Sequence, residues 1–118
     1  LGSYEAEAKV ERDHVREAER VIGEWGLPRS AESLEAILQH HERLDGSGYP
    51  DGLKDKAIGV PGRILALADA YDELTSWHPH REPVTARAAL SELRREAAEG
   101  RLDGPLVERL AVLLAPIV

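Results

Sequence analysis

An all-α domain is the fold this sequence predicts, and three observations carry the prediction. Apolar residues recur at helical spacing in about five stretches. Residues that start or stop helices stand at the ends of those stretches. No repeat, low-complexity tract or interdomain linker breaks the chain, whose 118 residues suit a single domain with a real core.

The first predicted helix runs from Tyr4 to about Trp25, with Val10, Ala18, Val21, Ile22 and Trp25 near helical spacing. Ser3 caps its start and Gly26-Leu27-Pro28 ends it. His14 falls on the same apolar stripe. Taken alone, such a histidine reads first as a buried side chain bonded to a backbone group.

Ser30 to His41 is predicted as the second helix, with Ser30 as its N-cap and Leu34, Ile37, Leu38 and His41 on one face. His40 then lies about 100° round the helix from His41. Neighbouring imidazoles at a helix end can reach neighbouring metals, or they can be an ordinary exposed pair. Asp45-Gly46 and Asp51-Gly52 are turn dipeptides, so the chain to about Val60 is read as a long loop. Loops of that length inside small domains tend to be functional.

Pro61 suits the first turn of a third helix reaching about Ser76. Ile64, Leu65, Leu67, Ala68, Tyr71 and Leu74 cover most of its circumference, which predicts the most buried helix of the domain. Asp69 lies within that apolar run. A buried carboxylate needs a partner, either a metal or an arginine. Asp72, one turn on, shares its face and is otherwise a solvated charge or an ion-pair member. His78 and His80 read as surface turn residues. Thr85 caps a fourth helix to about Ala98, with Ala88, Leu90, Leu93 and Ala97 inward and Gly100 ending it. A fifth follows Asp103-Gly104-Pro105, with Leu106, Leu110, Val112, Leu113 and Leu114 apolar. The charges of Arg94-Arg95-Glu96 form a solvated face.

Composition narrows the chemistry. There is no cysteine, so neither disulfides nor thiolate ligands are available, and any metal must take nitrogen and oxygen donors. The formal charge of −7 argues against DNA or an anionic membrane as a general partner. A small phosphate ligand remains compatible where cations are local. No signal peptide or membrane-spanning run is evident, which predicts a cytoplasmic protein. No P-loop, no GxGxxG and no serine in a nucleophile-elbow pattern is present.

The most informative stretch is His40-His41-Glu42-Arg43-Leu44-Asp45-Gly46-Ser47-Gly48-Tyr49-Pro50, continued by the segment from Pro61 to Ser76. It resembles the signature of HD-GYP domains, the metal-dependent phosphohydrolases that open cyclic di-GMP. The resemblance implies an HD-domain-like helical bundle with His14, His40, His41 and Asp69 as metal ligands. It also implies a divalent metal, iron or manganese first and zinc second. Substrate contacts are implied at Gly48, Tyr49, Pro50 and Asp72, and in the loop carrying His78 and Arg81. Relatives usually have an arginine where His78 stands, and histidine lacks the planar fork of a guanidinium.

No His-Asp dipeptide occurs in the chain. The resemblance therefore implies one partial domain over residues 1–118, the C-terminal portion of a cyclic di-GMP phosphodiesterase, inactive in isolation. The alternative is a non-enzymatic HD-GYP-like module binding a nucleotide or a signalling protein such as a diguanylate cyclase domain. Plain scaffolding is a third reading. A missing segment would leave an apolar face uncovered, which predicts self-association.

Overall fold

The computed structural model describes residues 32–116. The first predicted helix, with His14 and the caps at Ser3 and Ser30, lies outside the described residues. Four α-helices follow in order: α1 (Glu32–Gln39), α2 (Val60–Thr75), α3 (Ala86–Ala98) and α4 (Gly104–Leu114). A short 3₁₀ turn, Asp55–Ala57, precedes α2. Among the described residues there is no strand, only two isolated bridges, Asp45 to Lys54 and His78 to Arg81. The described fold is thus all-α, and none of its helices is long and apolar enough to cross a membrane.

The caps do what their chemistry predicts. Thr85 Oγ1 accepts from the Ala88 amide at 3.1 Å, and Asp103 Oδ1 from the Leu106 amide at 3.2 Å, so each satisfies an N–H that its helix leaves unpaired. Asp103 has a second use. Its Oδ2 accepts from Arg63 Nη1 at 3.0 Å, while Arg63 Nε donates to the Ile58 carbonyl at 3.0 Å. One arginine thus ties the end of the long loop and the first turn of α2 to the start of α4.

The core lies where α2, α3 and α4 meet, and comprises Leu67, Leu90, Leu93, Leu102 and Val107. Ala70, Tyr71, Leu74, Ala97, Leu106 and Leu110 pack around it. In α3 the buried pair of alanine and leucine is Ala89 and Leu90, and the predicted inward Ala88 is exposed. In α4 the fully buried residue is Val107, whereas Val112 and Leu113 are 74% and 76% exposed. Arg94 and Glu108 join α3 to α4 through paired hydrogen bonds of 2.9 Å on the exposed surface, where such links add little stability.

The largest correction concerns α2, expected to be the most buried helix because apolar residues cover most of its circumference. Only Gly62, Ala66 and Leu67 are buried in it, while Val60 and Ile64 are about half exposed and Ala68 and Asp69 are exposed. Apolar character on every side does not specify which sides neighbours cover. Here the core takes the side of Leu67, Tyr71 and Leu74, and α1 takes the first turns. At that second contact Gly62 matters: a Cβ there would stand 2.8 Å from Gln39 Cβ, so a side chain would push the two helices apart.

Burial predicts opposite outcomes for two α3 and α4 substitutions. Leu93→Ala, at 1% exposure, should cost about 2–5 kcal/mol in a urea titration. Val112→Ser should stay within about 0.5 kcal/mol of wild type.

Candidate metal centre and its loop

The site grows from the end of α1. The helix was predicted through His41 but ends at Gln39, because the Glu42 amide donates to the Gln39 carbonyl at 2.9 Å and closes a tight turn. His40 and His41 occupy that turn, both half-buried, with ring centroids 4.0 Å apart and planes tilted by 42°. Gln39 fixes the turn against α2, since its side-chain oxygen accepts from the Gly59 amide at 2.9 Å.

Asp69 reaches the same place from α2. His40, His41 and Asp69 each offer a donor atom, and these atoms lie within 4.8 Å of one another. Asp69 is exposed, so the expectation of a carboxylate buried in an apolar run is corrected. His40 Nδ1 lies 2.7 Å from the Ile37 carbonyl oxygen. A carbonyl can only accept, so Nδ1 carries the proton and the lone pair falls on Nε2. A ligating histidine is commonly held in this way by its other ring nitrogen. Two imidazoles and a carboxylate form a nitrogen and oxygen set suited to iron, manganese or zinc. Two ligands about 2.1 Å from one ion lie at most about 4.2 Å apart, so modest side-chain rotation closes the group on a metal. The residues fit the ion that the resemblance implies.

The loop after His41 folds back over this turn. Its ends are joined by the Asp45 to Lys54 bridge and by the Asp55 amide, which donates to the Leu44 carbonyl at 3.0 Å. Gly46 turns the chain at a φ of 84°, in the region that favours glycine. The Tyr49 amide donates to the His41 carbonyl at 3.1 Å, and the Tyr49 ring stacks on the His41 imidazole at 4.9 Å with 19° between planes.

Gly48 makes this approach possible. A Cβ at Gly48 would stand 2.6 Å from Glu42 Cα and would also collide with the His41 carbonyl oxygen and the Arg43 amide nitrogen. Inside the loop is Glu42, at 2% exposure the buried charged side chain of the described residues. Its Oε2 accepts from the Asp51 amide at 2.9 Å and its Oε1 from the Leu53 amide at 3.0 Å. Sequence reasoning missed this residue. The available signal was a carboxylate placed directly after the histidine pair, beside a loop rich in amides that no helix satisfies.

The other expected site residues are not members of the His40, His41 and Asp69 group. Asp72 is exposed and accepts from Ser76 Oγ at 3.0 Å. His78 and Arg81 close their own turn through reciprocal backbone bonds of 3.3 and 3.2 Å. The His78 ring is half-buried with its Nε2 lacking a hydrogen-bond partner, which differs from the freely solvated turn residue expected. Arg81 Nη2 donates to the Glu73 carbonyl at 3.2 Å and lies 3.6 Å from its carboxylate. Arg81 and Arg43 line a groove of about 250 Å³ with Glu73, Glu92 and Glu96.

Two outcomes follow from the loop geometry. Gly48→Ala should destabilise the chain by roughly 1–3 kcal/mol in a denaturant melt, since backbone, not a flexible side chain, must move. Asp45 accepts from both the hydroxyl and the amide of Ser47, and these bonds hold its carboxyl below the ordinary value of about 3.9. A lowered folded pKa means that this exposed turn contributes above the ordinary value and loses that contribution as pH falls through the folded one. A carbon-13 titration of the Asp45 carboxyl should show the lowered midpoint, and Ser47→Ala should return it upward.

Comparison with known proteins identifies the relationship. The model of the HD domain family matches residues 3–106. The chain is similar to a cyclic di-GMP phosphodiesterase of Thermotoga maritima, 36% identical over 101 residues, covering 86% of this chain and 27% of the relative. It is 53% identical over 68 residues to the cyclic di-GMP phosphodiesterase response regulator RpfG of Xanthomonas campestris, covering 58% of this chain and 18% of that one. A 3'3'-cGAMP-specific phosphodiesterase 1 of Vibrio cholerae is 45% identical over 69 residues, or 58% of this chain and 16% of the relative. The chain therefore spans between 16% and 27% of the length of these curated relatives. A family match over most of the chain, with the Gly48-Tyr49-Pro50 loop seated on His41, means that the chain belongs to the HD domain family, in its HD-GYP form.

Proposed function

We propose that this chain is one partial HD-GYP domain that contributes ligands and substrate contacts to a metal-dependent cyclic dinucleotide phosphodiesterase. The observation that carries the reading is the convergence of His40, His41 and Asp69 beside the Tyr49 ring. The relatives' names supply the substrate class, cyclic di-GMP or cGAMP. His14 is assigned as a further ligand on the resemblance alone.

In this reading His40 offers Nε2 while Nδ1 stays bonded to the Ile37 carbonyl. His41 is oriented by the tyrosine ring against one of its faces. Asp69, being exposed, keeps its carboxylate available without a burial cost. A divalent metal bound there supplies Lewis acidity toward a phosphoryl oxygen and lowers the pKa of a bound water. Gly48, Tyr49 and Pro50 form the wall against which a nucleobase or ribose rests, and Asp72, His78 and Arg81 reach the ligand from α2 and its following turn. Because the chain is acidic overall, at a formal charge of −7, local cations must receive the phosphates. Arg81 is the candidate, provided that it releases Glu73.

A second reading rests on the turn after α2, where His78 supplies no planar guanidinium fork for a phosphate. It makes the chain a non-enzymatic module that uses the same loop to hold a nucleotide or a signalling protein.

Metal stoichiometry after anaerobic reconstitution with iron(II) or manganese(II) separates the two. The first reading expects tight binding of about one metal per chain, lost in both His41→Ala and Asp69→Ala, followed by cleavage of cyclic di-GMP once the remaining ligands are supplied. Background binding in the wild-type chain would overturn it in favour of the second.

A further inference from the structure

A carboxylate that is 2% exposed needs donors, and Glu42 finds both of its donors in the loop it precedes. Among the described residues no ion pair holds it. The carboxylate is therefore not a surface charge that folding happened to cover. It occupies the inside of the loop, and its two oxygens address amides two residues apart, Asp51 and Leu53. Charge-assisted bonds of this kind are among the stronger ones and are directional.

The position of those amides decides where Tyr49 goes. The chain leaves the histidine turn, swings out through Gly46, returns with Gly48 pressed on the backbone of residues 41–43, and is then held at Asp51 and Leu53. Tyr49 lies between the held return and the anchored turn, with its amide on the His41 carbonyl and its ring on the His41 imidazole. Releasing the far side of the loop removes two charge-assisted bonds that define its return path just after Tyr49.

We infer that Glu42 is a positioning residue: through the Asp51 and Leu53 amides it sets the loop so that Tyr49 is seated on His41 and fixes the plane of that imidazole. The part of this inference that concerns metal affinity rests on the reading of His41 as a ligand. The part that concerns the Tyr49–His41 stack does not.

Glu42→Gln is the informative variant, because it keeps the volume and one good acceptor while turning an NH₂ group toward a backbone N–H that can only donate. In nuclear magnetic resonance spectra of the metal-free chain, the His41 ring protons should carry a ring-current shift from Tyr49. That shift should be lost in Glu42→Gln to the same extent as in Tyr49→Ala, while Leu93 and Val107 methyl resonances stay unchanged. Manganese(II) affinity should fall about tenfold or more, as it does when a group orienting a ligand is removed. In the wild-type chain the Asp51 and Leu53 amides should be protected from hydrogen exchange.

His41 resonances at wild-type positions in Glu42→Gln would overturn the inference. So would collapse of the Leu93 and Val107 signals, which would make Glu42 a general stability residue. Unprotected Asp51 and Leu53 amides would overturn it without any variant. Absence of manganese binding in the wild-type chain would instead overturn the proposed function and leave the stacking result standing.

Discussion

A carboxylate taken out of water must be given hydrogen-bond donors, and at Glu42 that requirement organises the region around it. Between the histidine turn and the 3₁₀ turn Asp55–Ala57, the long loop has no α-helix or strand to satisfy its amides. The Glu42 side chain meets two of them from within, so the need of the charge and the need of the backbone are met by the same bonds. This leaves the loop with a defined return path instead of an ensemble of them. The histidine turn and Tyr49 take their relative positions from that path.

Close backbone approach is the second constraint, and glycine meets it at two places. Gly48 lets the loop rest on residues 41–43, and Gly62 lets the first turns of α2 come up to Gln39. Both contacts flank the histidine turn. The Gln39 bond to Gly59 adds a polar link at the same junction, so the turn is held by the loop on one side and by α2 on the other. Asp69 then needs only to stand on α2 at the right height to join His40 and His41. The bundle of α2, α3 and α4 serves this arrangement by keeping α2 fixed, with Arg63 linking the loop end, α2 and the cap of α4.

The distribution of charge separates this centre from the rest of the surface. Arg94, Arg95 and Arg101 are engaged with glutamates on and beside α3 and α4, which leaves them as neutralised pairs. Arg43 and Arg81 stand nearer the loop and the end of α2, in a groove that also holds Glu73, Glu92 and Glu96. In such a mixed groove a phosphate competes with carboxylates for the same guanidinium groups, so any anion is received by exchange of partners.

Much of this was legible in residue order. Helical spacing and end residues placed α2 and α3 to within a residue or so, because Pro61 and Thr85 act locally, whereas α4, expected after Asp103-Gly104-Pro105, begins at Gly104 with Asp103 as its cap. The resemblance grouped the histidine pair, Asp69 and the Gly48-Tyr49-Pro50 loop, and the fold brings His40, His41 and Asp69 close together with Tyr49 stacked on His41. Tertiary structure alone decided the rest. It ended α1 at Gln39, exposed Asp69 and much of α2, placed Ala89 instead of Ala88 inward, and engaged Arg81 with Glu73. It also buried Glu42. Caps and periodicity depend on neighbours within a turn of the chain, whereas burial and side-chain partners depend on segments eight or more residues away, as Arg81 with Glu73 and Glu42 with Asp51 and Leu53 illustrate.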